Sequence, residues 1–425
     1  MSSQSATDSG LVIIGGGIAF LHAVKVAAKS KRRVTAVCSN PFLEWPMTAT
    51  MSLTRPGEHE KWLCQNPVDF TVKGVDYIFD AVTKISPADR TIQFAKSPQI
   101  TYGAVVVATG NRLPLLLPVP GEGLEERKVL VREAVAAIQA AKTIVINGPG
   151  LVGMEMAGDA KVANPAARVV LLSRSGELLA GSHPGEWQQR VKAKAQELGI
   201  EVVKGRVTSA GAEDYRLTPC TLALDGSTQD SLECDVYIPG YMQGPNTAFL
   251  AEAAGLLNEK GQVVVNECLQ SVARPEIFAA GVSTVPYKHP NSQGAVDHAA
   301  HAVAGALAVL EGRPPRPFKN GGLERSVNVV VAHGAGGYLF WDLDALPPPV
   351  KCCCCLCCGG GFPFCPPPCC WCCGPGCPTL CGRCCGGSGH SEGAAAFHER
   401  VLLKKFAAMR GYAGMGGAPA QQQMK

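Results

Sequence analysis

LVIIGGGIAF, Leu11 to Phe20, decides the fold. Leu11, Val12, Ile13 and Ile14 run without a polar break, as in a strand buried on both faces of a parallel sheet. Gly15 and Gly17 follow. A chain without Cβ can turn tightly there and come close to a pyrophosphate. From Ile18 the residues Phe20, Leu21, Val24, Ala27 and Ala28 recur at helical spacing. A helix therefore begins at Ile18 and aims its free N–H groups back at the turn. A second strand, residues 34–38, comes next. The order strand, glycine turn, helix, strand reads as the start of a dinucleotide-binding unit. A glycine turn that binds nothing stays open on this motif alone.

TIVINGPGLVGMEMAGD, Thr143 to Asp159, repeats the pattern. Here Gly148, Gly150 and Gly153 complete G-x-G-x-x-G. The next strand, 168–172, ends in Ser173-Arg174, where NAD-specific folds place Asp or Glu. A small hydroxyl followed by a guanidinium suits a 2′-phosphate. NADPH is expected to be accepted, together with NADH. The alternative is that Arg174 is a solvated surface residue. Glu155 reads as a first-turn carboxylate favoured by the helix dipole. Two such turns in one chain imply two dinucleotides, held so that electrons pass between them.

The first turn departs from its pattern twice. Phe20 stands at the third glycine, so it must push the helix outward or point away. Cys38, Ser39 and Asn40 stand where an acid is expected. Losing that charged ribose acceptor costs about 1–3 kcal/mol unless Ser39 or Asn40 offers a weaker bond.

Two further pieces surround these turns. YGAVVVATG, 102–110, is an apolar strand reaching Ala108-Thr109-Gly110, and PEIFAAGV, 275–282, is another reaching a glycine before a long helix at about 293–310. With these four motifs in order, residues 8 to about 350 resemble the two-dinucleotide flavoprotein oxidoreductases. Within them the chain looks most like the apoptosis-inducing-factor-like, ferroptosis-suppressor-type quinone reductases and the alternative NADH dehydrogenases. The resemblance implies FAD in the first site and NAD(P)H in the second. It maps flavin contacts onto Gly15, Gly16, Gly17, Ile18, Ala19, Arg55, Val82, Thr109, Gly110 and Gly281, and it puts Glu155 near the nicotinamide. Val282 replaces the aspartate that would bond the ribityl chain. Gln293 and Gly294 open the helix aimed at the flavin pyrimidine, where its dipole stabilises negative charge. On that helix His298 and His301 read as flavin-tuning or metal-binding groups or, more simply, as structural histidines.

The disulfide reductases of this superfamily carry a Cys-x4-Cys pair after the second strand. Cys38 and Cys64 have no close partner in sequence, so no redox disulfide is expected beside the flavin. The acceptor then takes electrons directly from reduced flavin, as a quinone, oxygen or a dye would. The cofactors carry the chemistry and the protein stacks, orients and dries them.

The chain has 425 residues, room for two or three domains, and a net charge of +4, too mild to argue for nucleic acid. No run of 18 apolar residues occurs, and MSSQSATDSG does not read as a signal peptide, so a cytosolic body is expected. Residues 351–390 break the pattern, holding 15 of the 20 cysteines among Pro and Gly. Three readings stay open. S-acylation would fix the protein to a membrane surface, each buried CH2 adding about 0.8 kcal/mol. Thiolates could hold a metal through Cys-x2-Cys spacings such as Cys370–Cys373. Or the block is an insertion without function.

The expected architecture is α/β: two Rossmann-like dinucleotide-binding domains, the second inserted in the first, plus a smaller C-terminal α+β region. Residues 8–120 and 262–325 make the FAD domain, 125–250 the NAD(P)H domain and 326–425 the C-terminal region. Pro114 to Gly123 reads as a hinge. Near the end, a helix at about 397–411 presents Phe406, followed by Ala407 where the resembling family has lysine. The reading is an FAD-dependent NAD(P)H:quinone oxidoreductase, attached peripherally to a membrane. The rival is a non-catalytic relative that keeps NAD(P)H as a sensor or scaffold, motivated by Phe20, Cys38 and Val282.

Overall fold

The computed structural model describes residues 10–44, 46, 49–54, 56–63, 70–179, 185–285, 292–319, 327–332 and 336–340. Arg55, Cys64, the cysteine block and the expected last helix lie outside the described residues.

The opening stretch forms β1 (Leu11–Gly15), α1 (Ile18–Ala27) and β2 (Val34–Cys38). Then come α2 (Ala49–Ser52), α3 (Pro56–Trp62), β3 (Asp76–Phe79), β4 (Val82–Ser86), β5 (Thr91–Phe94), β6 (Ile100–Thr101) and β7 (Ala104–Ala108). A second series follows: α4 (Leu124–Ala140), β8 (Thr143–Asn147), α5 (Leu151–Ala163), β9 (Arg168–Ser173), α6 (Gly185–Glu197) and β10 (Ile200–Lys204). It ends with β11 (Arg206–Val207), β12 (Cys220–Asp225), β13 (Ser231–Cys234) and β14 (Val236–Pro239). The chain closes with β15 (Val263–Val264), β16 (Ile277–Ala279), β17 (Thr284–Val285), α7 (Ser292–Leu310) and the hairpin β18 (Val327–Ala332) and β19 (Gly336–Phe340).

The first sheet has the order β16-β7-β1-β2-β3, and every pairing in it is parallel. Its edge strand β16 comes after the whole second sheet in sequence, so the chain leaves this sheet and returns to it. Leu11 to Ile14 are all buried, as an unbroken apolar run requires when both faces are covered. On one face α1 and α7 pack together. Gly305 of α7 lets that helix close on β16, since a Cβ there would lie 2.5 Å from the Phe278 ring. Ile85 and Ile92 bring the β4–β5–β6 meander into the same core. Phe20 is fully buried in this core. Its ring therefore points away from the turn, and the missing third glycine leaves the cradle open.

The second sheet has the order β10-β9-β8-β14, again parallel. Strand alternation sorts its side chains. Ile144, Ile146, Val169 and Leu171 face Val131 and Ile138 of α4 and Met154 and Ala157 of α5. Val145, Val170 and Leu172 face the other way, against Leu222, Leu224 and Leu232 of the β12–β13 hairpin. The two strands thus supply two cores at once, which is why they read as uninterrupted apolar runs.

The segment expected to be a hinge is pinned. Leu113, Leu115 and Leu116 are buried in the second core beside Ala49 of α2 and Leu53 just after it. Leu115 takes a left-handed φ of 66° to do so. Beyond it, Asn40 Nδ2 donates to the carbonyls of Val119 (2.8 Å) and Glu122 (3.0 Å). Pro and Gly here shape a fixed crossing. The return crossing runs beside it: Arg112 N–H donates to Gly244 O at 2.9 Å and Asn246 N–H to Gly110 O at 3.0 Å.

Candidate dinucleotide sites

Three backbone turns meet at the carboxyl ends of β1, β7 and β16, where ligands sit in doubly wound sheets. A Cβ on Gly15 would lie 2.3 Å from Ala108 O, so the strands approach too closely for any side chain. Gly17, by contrast, faces open space. Gly17 is also the N-cap of α1 and no side chain caps that helix. Its first-turn N–H groups are therefore available to an anion. Ile18 is half-buried, and Ala19 is buried. Gly110 and Gly281 both have left-handed φ, 69° and 68°. A Cβ on Gly281 would touch Ala19 and Ala295, so this glycine lies between the starts of α1 and α7. Thr109 Oγ1 is buried without a hydrogen-bond partner. Val82 opens β4, half-buried beside the first core. A glycine cradle, an uncapped helix and an orphaned hydroxyl at one sheet end fit a flavin dinucleotide.

The end of β2 shows what replaces the missing acid. Cys38 lies against the turn, its Sγ 3.2 Å from where a Cβ on Gly16 would be. Burial pushes its thiol up to about 11, against a lowering bond from the Asn40 backbone, so it stays neutral. Asn40 is committed elsewhere: Nδ2 holds the Val119–Glu122 turn and Oδ1 accepts the Ser39 hydroxyl at 2.7 Å. Of the two residues the sequence offers the ribose, Asn40 Oδ1 keeps one acceptor lone pair and the Ser39 hydroxyl oxygen keeps two, so Ser39 is the freer acceptor. Val282 lines a cavity of about 360 Å³ with Asn111, Gly244, Pro245 and Lys260.

The second turn is built more tightly. Gly148 has φ 126°. A Cβ on Gly153 would lie 1.8 Å from Gly148 O, and Gly240 needs the same absence, its Cβ falling 2.7 Å from the Gly153 Cα. Helix α5 thus rests directly on the sheet. Gly150 faces open space and caps α5 without a side-chain bond. Glu155 is the fifth residue of a helix whose first turn holds no acid. The first-turn reading of Glu155 is therefore corrected, because dipole stabilisation fades beyond that turn. Ser173 is buried; its Oγ donates to Glu177 O at 2.7 Å and accepts the Gly176 N–H at 3.1 Å, closing the loop after β9. Arg174 beside it is exposed and makes no ion pair among the described residues. Lys204, in register with Ser173, packs its stem on Gly176 and brings a second cation that spacing could not reveal.

The histidines of α7 both contact the segment that follows that helix. His298 is buried with its ring edge-on to Phe318 at 4.7 Å. His301 Nε2 lies 2.7 Å from Arg316 O. Among the described residues no group of three His, Cys, Asp or Glu side chains can hold a metal, and no helix is long and apolar enough to cross a membrane.

Sequence reading missed one buried charge cluster. Arg127 of α4 grips Glu44 with two bonds, Nε–Oε2 at 2.6 Å and Nη2–Oε1 at 2.9 Å. His59 Nε2 lies 3.1 Å from the same Oε1. All three side chains are about 1% exposed. Burial alone would push the Glu44 carboxyl up, but His59 and Arg127 together hold it below the usual range. The cluster ties the chain after β2 to the helix that opens the second sheet.

Comparison with known proteins agrees with this geometry. The profile of the pyridine nucleotide-disulphide oxidoreductases matches residues 9–306. The chain is 23% identical over 325 residues to the oxidoreductase ptaL of Pestalotiopsis fici, covering 73% of this chain and 86% of that one. It is 29% identical over 281 residues to the nitric oxide reductase FlRd-NAD(+) reductase of Klebsiella pneumoniae, covering 64% and 72%. The crystal structure of a ferredoxin reductase from Rhodopseudomonas palustris superposes with a TM-score of 0.56 at 24% identity, covering 73% and 78%. The chain belongs to the pyridine nucleotide-disulphide oxidoreductase family, whose members are flavoproteins using FAD and NAD(P)H.

Proposed function

We propose that this protein oxidises NAD(P)H and delivers the electrons to a quinone-type acceptor. The observation that carries the reading is the pair of uncapped helix N-termini at Gly17 and Gly150, each at the end of its own parallel sheet. When bound, the flavin supplies hydride acceptance from the nicotinamide and onward electron delivery. The chain's part is to bind and orient. Gly15, Gly16 and Gly17 with the N–H groups of Ile18 and Ala19 take one pyrophosphate. Thr109 offers its hydroxyl, Gly110 and Gly281 let the backbone approach, Val82 backs the adenine, and Arg55 adds positive charge. Gly148, Gly150 and Gly153 take the second pyrophosphate. Arg174, helped by Lys204, holds a 2′-phosphate, and Glu155 contacts the nicotinamide side.

The quinone reading rests on the cysteines. Among the described residues Cys38 has no cysteine partner at the flavin turn. The sequence gives Cys38 no Cys-x4-Cys partner, so the acceptor proposed is a small one that meets the flavin directly. The ferredoxin reductase likeness favours a second reading, an iron–sulphur protein as acceptor. The cysteines of 352–385 support membrane attachment by S-acylation.

Purified protein is expected to be yellow, with one flavin per chain, and to reduce a short-chain quinone with NADPH faster than it reduces a ferredoxin. Ferredoxin reduction alone would replace the acceptor. Colourless protein that FAD cannot reconstitute would leave an NAD(P)H-binding scaffold instead. Hydroxylamine-sensitive acyl exchange should label the cysteine block; no labelling would remove the membrane attachment.

A further inference from the structure

The β12–β13 hairpin holds two cysteines that neither dinucleotide site uses. Cys220 and Cys234 stand directly opposite each other in the antiparallel register, with their sulfurs 3.5 Å apart. Opposed residues of antiparallel strands have Cα atoms about 4.5–5.5 Å apart. That lies inside the span of roughly 4.4–6.8 Å over which a disulfide forms. Closing the bond needs side-chain rotation and no backbone movement. The next inward pair, Leu222 and Leu232, is buried against Val145 and Val170, so the sulfurs cannot drift apart. The other described cysteines lack such a partner: Cys38 abuts Gly16, and the Cys268 thiol lies 3.8 Å from Pro315 O.

We propose that Cys220 and Cys234 are an oxidation site, forming a reversible intramolecular disulfide with hydrogen peroxide. Cys220 is half-buried and Cys234 is 4% exposed, so peroxide reaches Cys220 first. Its thiolate attacks one peroxide oxygen and the O–O bond breaks. One oxygen leaves as water after protonation and the other stays on sulfur as a sulfenic acid. Cys234 Sγ then attacks Cys220 Sγ, the S–O bond breaks, and a second water departs. The dithiol loses two electrons and two protons, and the peroxide gains both. Burial, and then the neighbouring Cys220 thiol, raise the Cys234 thiol far above its ordinary value, which makes it the second sulfur to react.

Trypsin separates this pair from every other cysteine, because the fragment 217–260 contains no internal lysine or arginine and holds only these two. Full-length protein, freed of reductant, is exposed to hydrogen peroxide, denatured with iodoacetamide and digested. The fragment should appear unalkylated and two hydrogens lighter, and return to the doubly alkylated mass when dithiothreitol precedes alkylation. In Cys234→Ser, a dimedone adduct should appear on Cys220 that the wild type does not give. If the wild-type fragment stays doubly alkylated while other cysteines of the chain are consumed, the proposal fails. It fails equally if Cys220 is found joined to a cysteine of 352–385. The wild-type map decides even if the variant does not fold.

Discussion

Gly153 and Gly17 show how the same residue type serves two purposes. At Gly153 a Cβ would lie 1.8 Å from a backbone oxygen, so nothing flexible can yield. Gly153→Ala is expected to cost about 1–3 kcal/mol or more by overpacking and to weaken NADPH binding, read by thermal melting and nucleotide titration. At Gly17 nothing lies within 4 Å of the added atom. Gly17→Ala should therefore leave the melting of the FAD-free protein unchanged yet purify with less flavin, since the methyl enters the space a pyrophosphate would need. Arg174 is the third test at this scale. A charge-assisted bond is worth roughly 1.5–3 kcal/mol. Arg174→Gln should raise the KM for NADPH by about tenfold or more and leave that for NADH in place. Equal effects on both nucleotides would assign Arg174 to the solvated surface.

Among elements, the join between α4 and the segment after β2 depends on buried charge. Glu44 lies 83 residues from Arg127, and neither is accessible to water. Removing one partner of such a pair typically costs about 3–5 kcal/mol, because the other is left charged and dry. Glu44→Gln should lose that much in urea unfolding at pH 7. The sign with pH follows from the lowered Glu44 carboxyl. Its stabilisation is complete above the ordinary glutamate value of about 4.3 and is lost as pH falls through the depressed one. The gap between wild type and Glu44→Gln should therefore narrow on acidification below about pH 4. A constant gap would mean that packing, and not charge, holds this join.

The whole molecule has two parallel sheets with separate cores, linked by paired crossings. Ligands that bind the folded state stabilise it by mass action, about 2.7 kcal/mol at a hundredfold excess over Kd. Since α5 and the second core carry the turn proposed for NAD(P)H, NADPH should raise the melting of that half. FAD should raise the melting of the first sheet. Calorimetry with each ligand checks this, and one transition shifted alike by both would show that the Glu44 cluster and the Leu113–Leu116 crossing bind the halves into one cooperative unit.

The parallel sheets and both glycine turns were legible in residue order. A strand covered on two faces must be apolar throughout, a helix must show its spacing, and a turn facing phosphate must lack Cβ. These demands act over a few neighbouring residues. The fate of Phe20, the pinning of Pro114 to Gly123, the Glu44–Arg127–His59 cluster and the meeting of Cys220 with Cys234 were decided by the tertiary structure alone. Each depends on which faces close on one another after distant segments fold. Phe20 could turn to the turn or to the core, and only the packing of α1 on α7 and the sheet chose the core. Glu44 carries no local mark, because an acid in a loop is ordinarily solvated. It becomes a latch only when α4 brings a guanidinium to it in a place that excludes water.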